Sequence, residues 1–405
     1  MPNTWWRTAL AAGCLFLAAA PARAQLSDGV LRIGVMDDMS TGMADTFGQG
    51  EVVAARLAVE DFGGSVLGVP VEILGADHQS KPDVGTAIAR RWFDTERVDM
   101  ITGLANSAIG LGVQGMARER NRVTLTTGSG ATEFTGAQCS PTGAHWVIDT
   151  FALARTVAQP MVRQGLDSWY FVAADITLGR ALVRDITPVI QAGQGRVLGS
   201  IFHPLLTTDM SSPLVSAQAS RAKVVALANV GADAVNSVKQ AAEFGMLQRG
   251  QQVAGLYMTV TDVKAIGLPS AQGIFLAEAY YWDLDDATRA FARRYAAQRN
   301  GAMPNGYQAG VYSAVLHYLR AVQAAGTDAA PAVMARMREL PIEDFMTRSG
   351  RLREDGRVIR DVHLFQVKPP GESQGSWDLL RHVATVPGAD AFRPISESDC
   401  PLVRR

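Results

Sequence analysis

The chain has 405 residues and a formal net charge of −1 at pH 7, and 19% of its residues are charged. This length exceeds what one hydrophobic core usually serves, so the sequence predicts two domains. Only five lysines occur and the arginines are scattered, which argues against a nucleic-acid partner and against an anionic membrane surface.

Residues 1–24 are predicted to be a signal peptide that is cleaved on secretion. Arg7 supplies a positive charge, residues 9–20 form an apolar run, and the Ala-Arg-Ala ending at residue 24 is a small-x-small cleavage pattern. The apolar run is shorter than the roughly 20 residues that span a bilayer. An uncleaved N-terminal anchor and lipidation at Cys14 are the two alternatives.

From residue 31 onward, short β-rich runs alternate with longer helical patterns. The predicted strands are 31–35, 69–74, 98–102, 122–126, 168–173, 196–202, 223–228, 255–258, 273–276 and 362–367. The predicted helices are 51–62, 83–93, 107–120, 150–163, 178–192, 232–244, 285–299 and 305–325. Repeated βαβ units require parallel sheets covered by helices on both faces, so the predicted fold class is α/β in two halves.

Ligands of open α/β sheets bind outside the carboxyl ends of the strands. The loops at those positions are small, polar and rich in glycine, which lets backbone amides approach a ligand closely. These candidate ligand loops are 37–42, 103–107, 128–132, 175–179 and 229–233.

The sequence offers little for catalysis or for cofactor binding. None of the six histidines stands at metal-ligand spacing from another histidine or a cysteine, so neither a metal nor a cofactor is predicted. Gly110, Gly112 and Gly115 match the dinucleotide fingerprint, but they lie inside a helical pattern, where close helix packing is their expected role. Loop acids such as Asp37 and Asp77 are interpreted as loop-capping or ligand-orienting groups.

Cys139 and Cys400 would remain once the leader is removed. An exported compartment permits disulfides, and two cysteines leave no odd thiol, so we predict that they are joined. The bond would close a loop of about 260 residues and contribute at most about 5 kcal/mol in the chain-entropy model. Two unrelated buried thiols are the alternative.

Five segments of the chain carry a family resemblance when taken in order. They are Ile33-Gly34-Val35 with Asp38-Met39-Ser40, then 54–61, then Gly103 through Ser107, then Gly130-Ala131-Thr132, and finally Asp175 with Gly179. The ordered set resembles the periplasmic branched-chain amino-acid (Leu/Ile/Val) binding proteins of ABC importers, over nearly the whole mature chain. Residues 77–83 further resemble a branch of that family whose ligands include aromatic and other organic acids.

The resemblance implies a type I periplasmic binding protein fold, in which two Rossmann-like lobes with parallel sheets are joined by three hinge crossings. It implies a first lobe of residues 25–147 plus 277–345 and a second lobe of residues 148–276 plus 346–405. It also implies a binding protein rather than an enzyme. The expected protein is a monomer that binds a small carboxylate in the interlobe cleft, either a branched-chain amino acid or an aromatic or aliphatic organic acid. Its other partners would be the permease subunits of the transporter.

The resemblance implies the ligand-binding residues as well. Ser107 corresponds to a serine that opens a helix, where its hydroxyl and free helix amides hold a carboxylate. Ala131 and Thr132 correspond to a pair whose amides and hydroxyl complete that pocket. The other predicted contacts share a place after the strands, and they are Met39, Ser40, Ser129, Gly130, Asp175, Leu178, Asn229, Val230 and Thr259.

The chain departs from the family's amino-acid binders in the second lobe. Leu178 and Val230 stand where aromatic residues are common, and Thr259 or Val260 stands where an acid accepts the ligand's α-ammonium. Asp262 would substitute only if the alignment shifts by two or three residues. A buried ammonium without a counter-charge costs several kcal/mol, so we predict an aromatic or branched aliphatic acid that lacks an amine.

Two other classes of function stay open at this point. A ligand-sensing receptor of a signalling system would use the same two-lobed clamp, and an exported hydrolase could use a similar α/β scaffold. A nucleophile hydrogen-bonded to a base in the cleft would favour the hydrolase.

Overall fold

The computed structural model describes residues 26–246 and 249–403, so the predicted signal peptide lies outside the described residues. Within these ranges no helix combines the length and the apolar character needed to span a membrane. The described chain forms two large sheets, each flanked by helices, and one small hairpin.

The first sheet has six strands in the order β2-β3-β1-β4-β5-β6, and only β2 is antiparallel to its neighbour. The strands are β1 (Leu31–Asp37), β2 (Ser65–Val66), β3 (Val69–Asp77), β4 (Met100–Gly103), β5 (Val123–Thr126) and β6 (Gly143–His145). Every residue of β4 and β5 is buried, because helices cover both faces of a parallel sheet.

The helices that follow these strands are α1 (Gly48–Phe62), α2 (Pro82–Asp94) and α3 (Ser107–Glu119). Three later helices complete this half of the molecule, namely α11 (Asp286–Gln298), α12 (Gly306–Ala325) and α13 (Ala330–Glu339). Asn305 begins α12 with a capping box that includes Gln308. The helix packs against α1, β4 and α13, which explains why it is apolar around most of its circumference.

The second sheet has seven strands in the order β15-β14-β11-β10-β9-β7-β8, and β14 alone runs opposite to the others, antiparallel to both β11 and β15. The strands are β7 (Ser168–Ala174), β8 (Arg196–His203), β9 (Val224–Ala228), β10 (Gln252–Gly255), β11 (Phe275–Glu278), β14 (Val362–Val367) and β15 (Leu380–Val386). The hairpin comprises β12 (Arg351–Leu352) and β13 (Val358–Ile359).

Helices of this half are mostly short. They are α4 (Thr150–Leu153), α5 (Gln159–Arg163), α6 (Thr177–Ala192), α7 (Ser211–Ala219), α8 (Ala232–Glu243), α9 (Val260–Ile266), α10 (Leu268–Ala271) and α14 (Gly388–Ala391). The segment predicted as one helix at 150–163 is broken by a π-helical turn at Ala154–Ala158.

The strand predicted at 255–258 is wrong, because β10 ends at Gly255. The chain turns back there, and the Met258 side chain fills the space beside Gly255, with its Sδ 2.3 Å from the position that a Cβ would take. Residues 256–258 are apolar and buried, but they lie in the loop after the strand.

The lobe ranges stay predictions, although the sheets bear on them. Strand β11 belongs to the second sheet and spans the predicted boundary between residues 276 and 277. In the tail, β14 and β15 join the second sheet, whereas Arg357 forms a bridge to His145 of the first sheet.

Cys139 and Cys400 are joined by a disulfide, as the sequence predicts, with their Cα atoms 5.7 Å apart. Both cysteines are buried. The bond ties the end of the tail to the connection between β5 and β6, so the tail returns to the first lobe after adding two strands to the second sheet.

Candidate functional site

Two loops at the carboxyl edge of the first sheet are locked together. The Gly103 carbonyl oxygen accepts the amides of Thr127 (3.1 Å) and Gly128 (2.9 Å), and the Ser129 hydroxyl donates to the Leu104 carbonyl oxygen. A Cβ at Gly128 would lie 2.8 Å from the Cα of Ala105. Glycine at 128 therefore allows the loop after β5 to pack against the loop after β4.

Ser107 lies in the first turn of α3 and is 3% exposed. Its hydroxyl oxygen has no hydrogen-bond partner among the described residues. The amides of Ala108 and Ile109 donate to Asn106 Oδ1 at 3.0 and 3.3 Å, so the N-cap side chain occupies helix amides that were predicted to be free. The Ser107 hydroxyl is the unpaired polar group at this helix start.

In the loop after β5, several backbone carbonyl groups are hydrogen-bonded, whereas several backbone amides are free among the described residues. The carbonyl oxygens of Gly128, Ser129 and Gly130 accept from Tyr257 Oη, His145 Nε2 and the amide of Thr150, at 2.9, 2.7 and 2.9 Å. In the described chain, the amides of residues 129–131 donate to no protein acceptor. Consecutive free amides beside a buried hydroxyl are suited to bind an anion.

His145 holds this loop in place, and its imidazole ring is neutral. Burial, and then the charge of Arg357, lower its pKa well below the ordinary value. Since Nε2 faces the Ser129 carbonyl oxygen, Nε2 carries the ring proton and donates a hydrogen bond to that oxygen. The loop is thus fixed from behind without a charge on the histidine.

Thr132 was predicted to offer its hydroxyl to a ligand carboxylate, but the structure binds that hydroxyl to other side chains. Its hydroxyl donates to Asp185 on α6 (3.0 Å) and accepts from Arg184 (2.9 Å). Burial would raise the pKa of Asp185, but hydrogen bonds from Arg184 and Thr150 outweigh burial and hold the pKa below its ordinary value. Thr132 therefore belongs to a polar bridge between the two lobes, at the edge of the loop after β5.

Leu178 and Tyr257 approach the same loop from the second lobe. A Cβ at Gly130 would lie 2.9 Å from Leu178 Cδ1 and 2.6 Å from Tyr257 Cε2. At the other end of the interface, the Ala232 amide donates to the Gly42 carbonyl oxygen (2.9 Å). The carboxyl edges of the two sheets thus face each other across a closed cleft, with the predicted contacts Gly130 and Leu178 in it and Val230 buried nearby.

Most other predicted contacts are engaged by other residues of the protein. Ser40 Oγ and the Met39 amide donate to Asp77, and Asp175 forms an ion pair with Arg180. The remaining two are deeper: Asn229 accepts from His203 and donates to Ser237, and Thr259 caps α9 with Asp262. The structure packs the loop that leads to Ser107 against the loop of residues 127–131, and these five residues lie in supporting positions.

Asp262 is not free to accept a ligand ammonium. Its carboxylate accepts from the Thr259 amide and hydroxyl (2.8 and 2.9 Å) and from the Thr46 hydroxyl of the first lobe (3.1 Å). Burial raises its pKa to about 6. The side chain caps a helix and links the lobes.

Sequence analysis missed Glu278, which joins the lobes at a hinge crossing. Its two carboxylate oxygens accept the amides of Val260 and Gly306, each at 2.8 Å, and these residues begin α9 and α12. Burial raises the pKa of Glu278 to about 8. A lone buried glutamate at a strand end gives no pattern in the sequence that would reveal this role.

An aromatic stack at the cleft was also missed. The Tyr307 ring lies 4.8 Å from Phe47 and 5.2 Å from Tyr257, measured between ring centroids. Tyr257 follows β10, so a correct end for that strand would have placed it in a ligand loop. Tyr307 follows the Asn305 cap of α12, a start signal that the sequence does contain.

The described residues hold no group of three or more histidine, cysteine or acidic side chains arranged to bind a metal ion. Of the three fingerprint glycines, Gly110 packs against Phe134, whose Cζ lies 2.8 Å from the position of a Cβ. Gly112 and Gly115 have nothing within 4 Å of that position. Close packing, as expected from the sequence, accounts for Gly110.

The family model for periplasmic binding proteins matches residues 30–375. The chain belongs to the periplasmic binding protein family. Its fold is the type I fold of that family, and its role is that of a solute-binding protein. No curated protein matches this sequence.

Solved structures agree with the family assignment. A periplasmic binding protein from Burkholderia mallei is 42% identical with a TM-score of 0.90, covering 93% of this chain and 100% of that chain. A branched-chain amino-acid ABC transporter periplasmic ligand-binding protein from Burkholderia xenovorans is 38% identical with a TM-score of 0.83, covering 92% of this chain and 99% of that chain. A Rhodopseudomonas palustris solute-binding protein in complex with benzoate shares the fold at 20% identity and a TM-score of 0.79, covering 88% of this chain and 96% of that chain.

Proposed function

We propose that this protein is the periplasmic component of an ABC importer and that it captures a small carboxylate without an amine. The observation that carries this proposal is the buried, unpaired Ser107 hydroxyl beside the free amides of residues 129–131. Hydrogen bonds to a charged group are worth roughly 1.5–3 kcal/mol each. Four such donors can therefore hold a carboxylate without any cationic side chain.

The hydrogen bonds already made by four acids around the cleft support an acid ligand rather than an amino acid. Among the described acids around the cleft, Asp262 caps α9 and Glu278 accepts two helix amides. Asp38 accepts from Thr41 and Ser80, and Asp77 from Met39 and Ser40. Binding an ammonium would require one of these carboxylates to give up existing donors.

The walls of the cleft support an apolar ligand body. Leu178 and Val230 are each 3% exposed, and the Tyr257 ring lies against Gly130. Aromatic and branched aliphatic acids match such walls. The benzoate carried by the Rhodopseudomonas palustris protein is a ligand of this class, which makes benzoate the first compound to test here.

The proposal includes export and partners. The signal-peptide pattern at residues 1–24 and the disulfide both suit a periplasmic protein. The expected partners are the ligand and the permease subunits of a transporter in the membrane, with the protein acting as a monomer.

Calorimetry on matched pairs tests the ligand class. Phenylpropionate against phenylalanine, and 4-methylpentanoate against leucine, differ only in the amine. We expect the acid to bind more tightly in both pairs, and a ligand at 100 times its Kd to stabilise the protein by about 2.7 kcal/mol. Tighter binding of both amino acids would overturn the proposed ligand class while leaving the binding role intact.

A further inference from the structure

Two fully buried carboxyl groups lie directly behind the two loops of the proposed anion site, 103–107 and 128–132. Asp37 ends β1 and Glu51 lies in the first turn of α1, and both side chains are 0% exposed. A Cβ at Gly103 would lie 2.9 Å from Asp37 Oδ2 and 2.8 Å from Glu51 Oε2. The two carboxyl groups therefore flank the same glycine, whose φ of +89° favours the residue without a side chain.

If both groups are ionised, the pair lacks donors. Asp37 Oδ1 accepts the Asp38 amide at 2.8 Å. The Ala105 amide lies close enough to lower the pKa of Asp37, but Asp37 Oδ2 and both oxygens of Glu51 have no hydrogen bond of normal geometry among the described residues. Two unpaired charges in such a site would cost several kcal/mol per ion. One proton placed on Glu51 supplies the missing donor, because the protonated carboxyl can then donate to Asp37.

No cation compensates the pair within the described chain. The nearest basic group is His78, whose Nε2 lies 4.0 Å from Asp37 Oδ1. The Ser80 amide donates to His78 Nδ1, and burial lowers the pKa of His78 to about 4, so the ring is neutral. The other titratable groups that face the pair or its histidine are Asp38, Asp77, Tyr257 and Tyr295.

We propose that Asp37 and Glu51 share one proton and that this proton makes anion binding in the cleft depend on pH. The inference rests on the proposed function and concerns the regulation of that site. Asp37 precedes the loop of Asp38, and Gly103 precedes the loop that ends at Ser107. Removing the proton adds a second negative charge behind both loops, and that charge repels a bound carboxylate.

The pKa values of the two carboxyl groups support the shared proton. Burial raises the pKa of Asp37 to about 7, and burial together with the neighbouring Asp37 charge raises the pKa of Glu51 well above its ordinary value. The folded protein therefore binds a proton that the unfolded chain releases near pH 4 to 5.

Infrared spectroscopy detects the proton without any ligand. Because buried Glu278 is also protonated near neutral pH, the C=O stretch of protonated carboxyls is compared in wild-type-minus-variant difference spectra at pH 7, and Glu51→Gln should give a difference band. Glu60→Gln is the matched control, since it lies on the exposed side of the same helix and should give no difference band. Absence of the difference band for Glu51→Gln would overturn the shared proton. Asp37→Asn serves if Glu51→Gln does not fold.

Calorimetry with benzoate then tests the coupling. Between pH 6 and 9 the wild-type affinity should fall on the order of tenfold, as expected for one added charge near a partly buried site, while Glu51→Gln stays nearly constant. Equal pH dependence in both proteins would overturn the coupling. If benzoate does not bind at any pH, the proposed ligand class is wrong. The infrared result still shows whether Asp37 and Glu51 share a proton.

Discussion

The Tyr257 hydroxyl donates a 2.9 Å hydrogen bond to the carbonyl oxygen of Gly128. The bond joins a side chain of the second lobe to the loop after β5 in the first lobe, so separating the lobes would break it. Closure in this family of clamps is driven by contacts that the open state lacks.

Replacing Tyr257 with phenylalanine should weaken ligand binding three- to tenfold, because one hydrogen bond of about 1 kcal/mol is lost from the closed state. Isothermal calorimetry measures the change. Tyr318→Phe is the matched control, since the Tyr318 hydroxyl is buried without a partner among the described residues. An equal loss in both variants would show that the Gly128 contact does not hold the cleft closed.

Gly130→Ala should prevent full closure, because the new Cβ would lie 2.6 Å from Tyr257 Cε2 and 2.9 Å from Leu178 Cδ1. The backbone amides remain, so the variant should fold but bind ligand at least tenfold more weakly, with a larger radius of gyration by small-angle X-ray scattering in the presence of ligand. Gly112→Ala, which meets nothing within 4 Å, should behave as wild type. Ligand-induced compaction of Gly130→Ala equal to that of the wild type would contradict this.

Ser107→Ala and Thr132→Ala should have different effects. The Ser107 hydroxyl has no protein partner in the described chain, so its removal should cost ligand binding roughly 1.5–3 kcal/mol and leave the melting temperature nearly unchanged. The Thr132 hydroxyl binds Asp185 and Arg184, so its loss should lower stability by about 1 kcal/mol. Thermal unfolding and calorimetry on both variants separate these outcomes, and wild-type affinity in Ser107→Ala would place the carboxylate elsewhere.

Glu278 should make stability depend on pH. Its folded pKa is about 8 and its unfolded pKa is about 4.3, so the folded state binds more protons between these values. The stability that Glu278 contributes is therefore fully present at low pH and is lost as pH rises towards 8, by up to about 1.4 kcal/mol per pH unit. Urea unfolding from pH 5 to 8 should give a shallower slope for Glu278→Gln than for wild type.

Exposed Glu243 on α8 provides the control for that experiment. Glu243→Gln removes the same charge without touching the hinge, so it should keep the wild-type slope. A Glu278→Gln protein with the wild-type slope would mean that another buried group dominates the titration.

The fold was predictable because apolar runs and helical periods are local properties of the sequence. Strands such as β4 and β5 are buried on both faces and appear as continuous apolar runs. Strand β10 was placed too late, because Leu256, Tyr257 and Met258 are as apolar as a strand but are buried in the following turn.

The candidate site was less predictable, because the state of a side chain depends on partners far along the chain. The ligand loops follow from the rule for strand ends. The same rule does not tell whether a hydroxyl or an amide in these loops is free. Thr132 is bound by Asp185, 53 residues away, and Asn229 by His203, 26 residues away. The side chains of Glu51 and Glu278 gave no signal, since single buried acids leave no periodic pattern.

The disulfide between Cys139 and Cys400 closes a covalent ring that contains every strand of the second sheet. A single protease cut within that ring, for example in the exposed Gly-Ser segment after Pro370, would open a loop without releasing a fragment. The nicked protein would migrate as one species until a reductant separates the pieces. The ring thus protects the two-lobed clamp against loss of half its binding cleft in a compartment where backbone cleavage is a hazard.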